Sequence, residues 1–516
     1  MRHRPFLTAV ALAAPLLASC GEAGGYNIEK VSNEGGSAFY EIFVGSFCDS
    51  NGDGIGDLNG ITSKLDYLED LGVSNLWLTP IHPSNSYHKY DVKDYYAIDA
   101  SFGTLADFDA LVTSAKAHHI GIIMDMVFNH ASRRGKWFQL FVSDVTTGNK
   151  TGTYYNDFVW SKTAKEGYHR FDETGGLYVE SRFSTEMPEF NLDSPHVQAE
   201  QKAIETFWLS HGVKGFRYDA VTYYYYGDVV KNVAYMKQLR QDALALKSDV
   251  YQVGEAFVDD QSLLTSYASS GMHVFNFTTS EKSLTGAVGA VCASSGLSAF
   301  IKAIVSAQQA YSAVGSEPVI FVSNHDQDRW GSYYVNKPSA LEKTKMIASC
   351  YLLTPGTPFM YYGEEIMLRG IRGSSDNSDY ARRQPMLWGG GEASCNPPEG
   401  KSIANQVTVG AKDALNDGWS LLNHEKKVLS IRNKYNDFFR FGVYSALDLG
   451  NPWVGGFQIT YNGSTKVLIH NSGSEVATLA YPSSGTLLED INTSKTASSY
   501  QKGTLTLQPF SSVLIG

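Results

Sequence analysis

The sequence has few cysteines and no close pair of them. Five occur in 516 residues, and the four that follow Cys20 are widely spaced, at Cys48, Cys292, Cys350 and Cys395. Without a CxxC pair, neither a zinc site nor a disulfide framework is indicated, although a single bridge remains possible in an exported protein.

Positive charge is also scarce. The chain has 42 Lys and Arg against 53 Asp and Glu, a formal net charge of -11. Because this excess would repel phosphates, nucleic acid is not an expected partner. Apolar residues make up 43% of the chain, as in an ordinary globular protein, and no internal repeat of fixed period is present.

The N-terminus contains an apolar stretch that is too short to span a membrane. It runs from Phe6 to Leu17 and follows the basic residues Arg2 and Arg4. This order is typical of a secretory signal, so residues 1–19 are interpreted as a signal peptide.

The end of this signal resembles the processing box of bacterial lipoproteins. The motif "LASC" ends at Cys20, and the resemblance implies cleavage before Cys20 and lipidation of its sulfur; the alternative is a plain signal with an incidental cysteine. Residues 20–36 are rich in Gly, Ser and Asn and are predicted to form a flexible tether. We therefore expect an exported lipoprotein, anchored to the cell envelope through Cys20 and facing the outside or the periplasm.

From residue 37 the chain alternates strand-like and helix-like segments. Apolar strands separated by amphipathic helices predict parallel strands covered on the outside, and eight of them predict a closed (β/α)8 TIM barrel, an α/β fold, over residues 37–440. The eight predicted strands are "AFYEIFVGSF", "VSNLWLTP", "IGIIMDMVFNH", "VKGFRYDAV", "DVYQVGEAF", "MHVFNF", "PVIFVSNHD" and "PGTPFMYYG".

Two segments depart from this alternation. About sixty residues, 131–192, separate the third strand from the next helix, and a connection of this length predicts an inserted subdomain, domain B. Residues 441–516 contain short alternating runs and an Asn462-Gly463 hairpin signal. They predict a C-terminal antiparallel β-sandwich, domain C.

Charged residues follow the predicted strands at their C-terminal ends, where barrels of this kind build their active sites. A single carboxylate there would usually be a helix cap. Several carboxylates, two histidines and an arginine at one rim are costly to bury without a task. These residues are Asp125, Asn129, His130, Arg217, Asp219, Glu255, His325 and Asp326.

Two of the carboxylates are predicted to have opposite protonation states. Arg217 and Asp219 are two residues apart on a strand, so both side chains point the same way and Arg217 should keep Asp219 ionised. Glu255 follows the apolar "YQVG" and faces other carboxylates, which should raise its pKa. One ionised and one protonated carboxyl are the working pair of glycoside hydrolysis.

The motifs "DMVFNH", "GFRYDAV", "GEAF", "FVSNHD" and "MPEFN" resemble, in order, conserved stretches of the α-amylase family of glycoside hydrolases. The resemblance covers roughly residues 37–516. It implies that Asp219 is the nucleophile, Glu255 the acid/base and Asp326 the third carboxylate. A retaining mechanism then predicts that Asp219 and Glu255 lie about 5–5.5 Å apart.

The same resemblance assigns substrate-binding residues. It implies that His130 and His325 hydrogen-bond the sugar in the −1 subsite, that Arg217 holds the nucleophile, and that Tyr90 is the aromatic platform under that sugar. The family usually has glycine before this tyrosine, where the chain has Lys89. The resemblance therefore covers the tyrosine but not the turn before it.

The stretch "DSNGDGIGDLNG" resembles a calcium loop that follows the first barrel strand in oligo-1,6-glucosidase-like members. The resemblance implies one structural Ca²⁺ held by Asp49, Asn51, Asp53, Asp57 and the Ile55 carbonyl. Position 12 lacks the glutamate of a calcium sensor, and a Gly-Asp turn without metal is the alternative. A second Ca²⁺ near Asn129 is left open.

Ala220 and "MPEFN" indicate which glucosidic linkage, α-1,4 or α-1,6, the enzyme would cleave. In the oligo-1,6-glucosidase-like branch, Val after the nucleophile accompanies α-1,6 cleavage, and Ala or Thr accompanies α-1,4 cleavage. Ala220 leaves room beside the nucleophile, and "MPEFN" favours amylase- and neopullulanase-like enzymes. We therefore predict a retaining endo-acting α-amylase that acts as a monomer on starch-type α-glucans or maltooligosaccharides; an exo-acting α-glucosidase, oligo-1,6-glucosidase or neopullulanase is the alternative.

Two non-catalytic functions are weighed against this prediction. Amylase-like ectodomains can serve as transporter partners, and a surface lipoprotein can bind glycans without hydrolysing them. Both leave the intact set of Asp219, Glu255 and Asp326 unexplained, so an enzyme is favoured.

Overall fold

The computed structural model describes residues 24–172, 176–373, 378–481 and 485–516. The predicted signal peptide and Cys20 lie outside these residues. Within them, no helix is both long enough and apolar enough to cross a membrane. The four cysteines of the described chain are all free thiols.

Eight parallel strands close into a barrel, which confirms the fold predicted from the alternation. Their order around the barrel is β1-β2-β3-β7-β8-β9-β10-β11. In chain order, the first eleven strands are β1 (Phe39–Ile42), β2 (Asn75–Leu78), β3 (Gly121–Met126), β4 (Trp160–Ser161), β5 (Tyr168–Arg170), β6 (Tyr178–Glu180), β7 (Gly215–Tyr218), β8 (Tyr251–Gly254), β9 (His273–Phe275), β10 (Pro318–Phe321) and β11 (Thr357–Tyr361).

Helices surround the barrel and bury their apolar faces against it. The predicted helix around "ITSKLDYLEDLG" forms as two short helices in succession. The second of them ends at Gly72, a left-handed residue with φ 96°. The helices are α1 (Leu58–Thr62), α2 (Leu65–Leu71), α3 (Leu105–Ala117), α4 (Lys136–Thr146), α5 (Pro195–Ser210), α6 (Val229–Leu246), α7 (Gln261–Ala268), α8 (Ala287–Ala290), α9 (Gly296–Ala313), α10 (Ala340–Leu352), α11 (Ala411–Asn416), α12 (Leu421–Lys434) and α13 (Asn436–Phe441).

Domain B emerges between β3 and α5, as predicted. Its small sheet has the order β4-β6-β5, and an isolated bridge pairs His130 with Glu189. This bridge ties the end of domain B to the C-terminal end of β3, so domain B forms one wall above the barrel mouth.

Domain C is an antiparallel two-sheet unit, which confirms the second predicted fold. Its sheets have the orders β12-β13-β14-β19-β16 and β15-β18-β17. Asn462 and Gly463 both have positive φ, 47° and 76°, as the predicted two-residue hairpin requires. The strands are β12 (Val443–Asn451), β13 (Val454–Tyr461), β14 (Ser464–Asn471), β15 (Ala477–Ala480), β16 (Leu487–Ile491), β17 (Ser499–Gln501), β18 (Thr504–Leu507) and β19 (Ser511–Ile515).

Residues 24–36, within the predicted tether, lie against the barrel. Tyr26 packs on Trp419 at 4.7 Å between ring centroids, and its hydroxyl lies 3.0 Å from His424 Nδ1. Asn33 is buried and donates to the backbone oxygen of Val73. Aromatic packing and backbone hydrogen bonds thus hold a segment whose composition alone suggests flexibility.

Candidate active site

Arg217 is the electrostatic centre of the barrel mouth. Register pairing places it beside Asp125 of the neighbouring strand β3, and its side chain is fully buried. Its guanidinium lies 2.7 Å from Asp125, 2.8 Å from Asp219 and 2.7 Å from Glu255. One cation therefore holds three carboxyls at the ends of β3, β7 and β8.

The surplus of carboxyls sets their protonation. Burial, together with the repulsion of Asp219 and Asp326, raises the pKa of Glu255 to about 8 against the attraction of Arg217. Burial also raises the pKa of Asp125, to about 6. Asp219 accepts a hydrogen bond from Arg217 Nη1. Glu255 is thus a proton-carrying group at neutral pH, as the sequence predicts.

His325 links the far side of the mouth. Its Nδ1 lies 2.6 Å from Glu41 and its Nε2 lies 2.7 Å from the Tyr90 hydroxyl and 3.0 Å from Asp326. Burial opposes the charged ring, but Asp326 and Glu41 overcome it and raise the pKa of His325 to about 10. The imidazolium therefore neutralises two carboxylates.

Asp326 is the most open of the three predicted catalytic carboxylates. About a third of its side chain is exposed, and its Oδ1 accepts from Arg383 Nη2 at 2.7 Å. Burial would raise its pKa, but His325 and then Arg383 lower it well below the usual range. Asp326 thus faces the opening as an anion.

Tyr90 and His130 complete the set that the sequence predicts at this rim. The Tyr90 ring lies parallel to that of His325 at 5.5 Å, and its hydroxyl donates to Asp125 at 3.0 Å. His130 is buried, and its Nε2 has no hydrogen-bond partner in the described structure. A buried imidazole nitrogen without a partner is suited to a ligand hydroxyl.

Sequence reasoning missed several residues that hold this site. Glu41 and Arg383 fix His325 and Asp326, and the Trp77 indole donates to Asp125 at 3.2 Å. Glu41 gave one signal, since it is a charged residue inside the apolar strand "FYEI". Arg383 gave none, because it lies in the loop after β11, 57 residues from its partner Asp326.

Lys89 preserves the turn that glycine usually makes before the tyrosine. It has φ 66°, in the left-handed region that side chains other than glycine rarely adopt. Its ammonium lies 2.8 Å from Asp99 and 5.3 Å above the Phe102 ring. These contacts hold the Lys89 side chain in place, and the Tyr90 hydroxyl lies 2.7 Å from His325 Nε2 in the site.

The loop Asp49–Asp57 has oxygen donors arranged by the backbone. Asp49 accepts hydrogen bonds from the amides of Asn51, Gly52 and Gly54, and Asp53 accepts from Ile55. Gly52 and Gly54 have φ 84° and 91°, as a tight loop around an ion needs. Carboxylate, amide and carbonyl oxygens are the ligands that Ca²⁺ prefers, so the donor set fits that ion.

Acidic side chains and a histidine converge most closely at a different place. Among the described residues, Asp66, Glu69 and His118 are the one set of three or more acidic, His or Cys side chains whose ligand atoms lie within 4.8 Å of one another. The carboxylates of the Asp49–Asp57 loop do not converge this closely. Asn129 is the residue near which the sequence leaves a second Ca²⁺ site open. It is buried, and its Nδ2 lies 3.3 Å from His130 Nδ1.

A parallel barrel with an inserted domain B, and a buried arginine that holds Asp219 beside the proton-carrying Glu255, are the features of a glycoside hydrolase. The family model "Alpha amylase, catalytic domain" matches residues 41–442. The chain belongs to the α-amylase family. Members of this family generally bind calcium.

Individual relatives span most of the chain. "Alpha-amylase 3" of Dictyoglomus thermophilum is 36% identical over 80% of this chain and 79% of its own. "Oligo-1,6-glucosidase" of Halalkalibacterium halodurans is 27% identical over 88% of this chain and 92% of its own. The structure of Eubacterium rectale Amy13B is 35% identical, with a TM-score of 0.88 over 94% of this chain and 96% of its own.

Proposed function

We propose that the protein is a retaining endo-acting α-amylase that hydrolyses α-1,4 bonds of starch-type glucans and maltooligosaccharides. The observation that supports it most directly is the guanidinium of Arg217, which holds Asp219 and Glu255 together in different electrostatic surroundings. The relative from Dictyoglomus thermophilum, named as an α-amylase, agrees with the proposal.

The reaction has two steps, and each inverts the configuration of the anomeric carbon, so that the product retains the α-configuration. Asp219 attacks the anomeric carbon while Glu255 gives its proton to the leaving glycosidic oxygen; the C–O bond breaks and a glycosyl ester forms. Water then attacks the same carbon and gives a proton to Glu255. The ester bond breaks, and the Asp219 carboxylate is released. Asp326 and the free Nε2 of His130 bind the hydroxyls of the sugar ring, and Tyr90 stacks under it.

Endo action is supported by two open surfaces that adjoin residues of the site. One is a cavity of about 180 Å³ lined by Phe43, Tyr87 and Lys89; the Phe43 and Tyr87 rings also contact Arg383. The other contains Phe183 and Tyr226, which leave 44% and 56% of their area exposed, and the Phe183 ring lies 5.4 Å from that of His130. A site that held one terminal sugar would need neither surface.

Linkage is tested at Ala220, which has φ 49° and an amide 3.4 Å from Glu255. We expect maltotriose to be cleaved faster than isomaltotriose. Ala220→Val should lower kcat/KM on maltotriose by about tenfold or more, because a β-branched side chain is strained at positive φ and crowds the leaving sugar. Initial rates on both sugars measure this, with Ala220→Gly as the control that adds no bulk.

Faster cleavage of isomaltotriose by the wild type would instead favour the runner-up, an exo-acting α-glucosidase or oligo-1,6-glucosidase. The relative from Halalkalibacterium halodurans, named oligo-1,6-glucosidase, supports that alternative. The product profile on amylose separates the two directly. An endo enzyme releases a ladder of oligosaccharides at early times, whereas an exo enzyme releases glucose alone.

The proposal includes one structural Ca²⁺ in the Asp49–Asp57 loop, held by side chains of Asp49, Asn51, Asp53 and Asp57 and by the Ile55 carbonyl. Excess EDTA should lower the melting temperature by several degrees while changing room-temperature activity little, because a ligand of the folded state stabilises by mass action. Asp53→Ala should reproduce the shift and abolish its dependence on added Ca²⁺; calorimetry measures both.

Asp66→Ala is the matched control for that experiment, since it removes a carboxylate from the other acidic group. A melting curve that responds to Ca²⁺ in Asp53→Ala but not in Asp66→Ala would place the ion at the second group and contradict the proposal.

The proposal also includes export and a lipid on Cys20, which would anchor the enzyme to the cell envelope. "LASC" at the end of a short apolar signal supports it. Labelling cells with a radioactive fatty acid tests it: Cys20→Ser should lose the label and enter the soluble fraction.

A further inference from the structure

A second cavity lies on the outside of the junction between domain B and the barrel. It has a volume of about 270 Å³ and is formed by the loop 93–96, the start of α4, Tyr154 and the first turns of α5. We call it the outer cavity. Its floor is Tyr95, whose buried hydroxyl donates to the backbone oxygen of His130 at 2.7 Å.

Tyr95 thus separates the outer cavity from His130, a residue of the candidate active site, by a single side chain. The cavity nevertheless opens on another surface, since Lys136, Trp137, Tyr154 and Glu200 line it, and none of them contacts the carboxyls at the barrel mouth. It is therefore a separate concavity beside the catalytic one.

Aromatic rings line the outer cavity and are held rigidly. Tyr96 leaves 37% of its area exposed. The half-buried Trp137 donates from Nε1 to Asp157 at 2.7 Å and packs on Phe190 at 4.6 Å. Tyr154 stands perpendicular to His196 at 5.2 Å. Fixed rings that stay partly open offer apolar faces at low entropic cost.

Polar groups surround these rings without an excess of either charge. Lys93 and Lys136 contribute two ammonium groups, and Asp94 and Glu200 contribute two carboxylates. The Glu200 carboxylate accepts from the Tyr96 hydroxyl at 3.0 Å, which fixes both side chains. A balanced set does not select a polyanion or a polycation, but donors and acceptors beside aromatic faces suit a neutral polyhydroxyl ligand.

We propose that the outer cavity is a second carbohydrate-binding site that holds a segment of α-glucan outside the catalytic cleft. The chemical class, a neutral polysaccharide with apolar ring faces and hydroxyl edges, follows from the lining; its identity as α-glucan rests on the proposed function. Holding one segment of a long or insoluble chain raises the effective concentration of its other segments at the neighbouring active site.

The test compares adsorption with catalysis in the full-length protein. In an Asp219→Asn background, which keeps the glucan intact, the double variant Tyr96→Ala/Tyr154→Ala should bind insoluble starch granules at least about tenfold more weakly. With Asp219 restored, the same pair of substitutions should leave kcat/KM on maltotriose within about twofold. Depletion of protein from the supernatant and initial rates measure the two quantities.

Two controls sharpen this comparison. Phe441→Ala removes a ring that is 52% exposed elsewhere on the surface and should leave adsorption unchanged. Tyr96→Phe/Tyr154→Phe keeps both rings and should retain most of the adsorption.

Unchanged adsorption in the double alanine variant would overturn the proposal. A parallel loss of adsorption and maltotriose cleavage would also overturn it, because the rings would then serve the catalytic cleft. Failure of the wild type to cleave any α-1,4-glucan would instead refute the proposed function, while granule binding that depends on the two rings would still support a second carbohydrate site.

Discussion

Asp219→Asn should lower kcat on an α-1,4-glucan by at least about 10⁴-fold, and Glu255→Gln by about 10²–10⁴-fold. In the proposed mechanism, the first substitution removes the nucleophile and the second removes the proton for the leaving oxygen. KM should change little, because neither change removes Tyr90, His130 or Asp326. Proton NMR of the earliest product should show the α-anomer; a β-anomer formed first would refute the retaining mechanism.

The pH profile separates the two roles. Glu255 acts as an acid only while protonated, and its pKa is about 8, so kcat/KM should fall as pH rises through about 8. In Glu255→Gln this alkaline limb should vanish from the residual activity. A variant that kept the limb would show that another group donates the proton.

Arg217→Met should destabilise the fold by about 3–5 kcal/mol and abolish activity. The side chain is fully buried between Asp125, Asp219 and Glu255, and its loss leaves buried carboxyls without a cation. The loss should be larger at pH 8 than at pH 5, because carboxyls that lack their cation can escape the penalty at acid pH by binding protons. Denaturant unfolding at both pH values measures this.

Arg432→Met is the matched control. Arg432 is equally buried, but it donates to the backbone oxygens of Leu352, Thr354 and Gly356. Its removal should cost stability with little difference between the two pH values, since no carboxylate loses a partner. An equal pH dependence in both variants would contradict the electrostatic explanation for Arg217.

The barrel could be predicted because its signal is repeated. Each buried parallel strand is a short apolar run, and after β3, β7, β8 and β10 charged residues follow at the same rim. The strands of domain C are harder to predict one by one. Two of them are β16 (Leu487–Ile491) and β17 (Ser499–Gln501), whose sequences "LLEDI" and "SYQ" are too short to show an alternation.

The site was predictable as far as strand ends reveal it. Arg217 and Asp219 share one strand face, so their contact follows from the period of two. The partnership of Glu41 with His325 joins residues 284 apart in the sequence, and only barrel closure between β1 and β11 brings them together. Lys89 could not be understood from its motif alone. It adopts the left-handed turn while its side chain contacts Asp99 and Phe102, and a local motif does not reveal those contacts.

The packed segment 24–36 limits how far an anchored enzyme can reach. If the lipid is on Cys20, only residues 20–23 lie between it and Gly24, whose backbone lies near Trp419. Four residues span at most about 14 Å even when fully extended. The enzyme would therefore work within a thin layer at the membrane surface. A polysaccharide chain would have to enter that layer before the enzyme could cleave it.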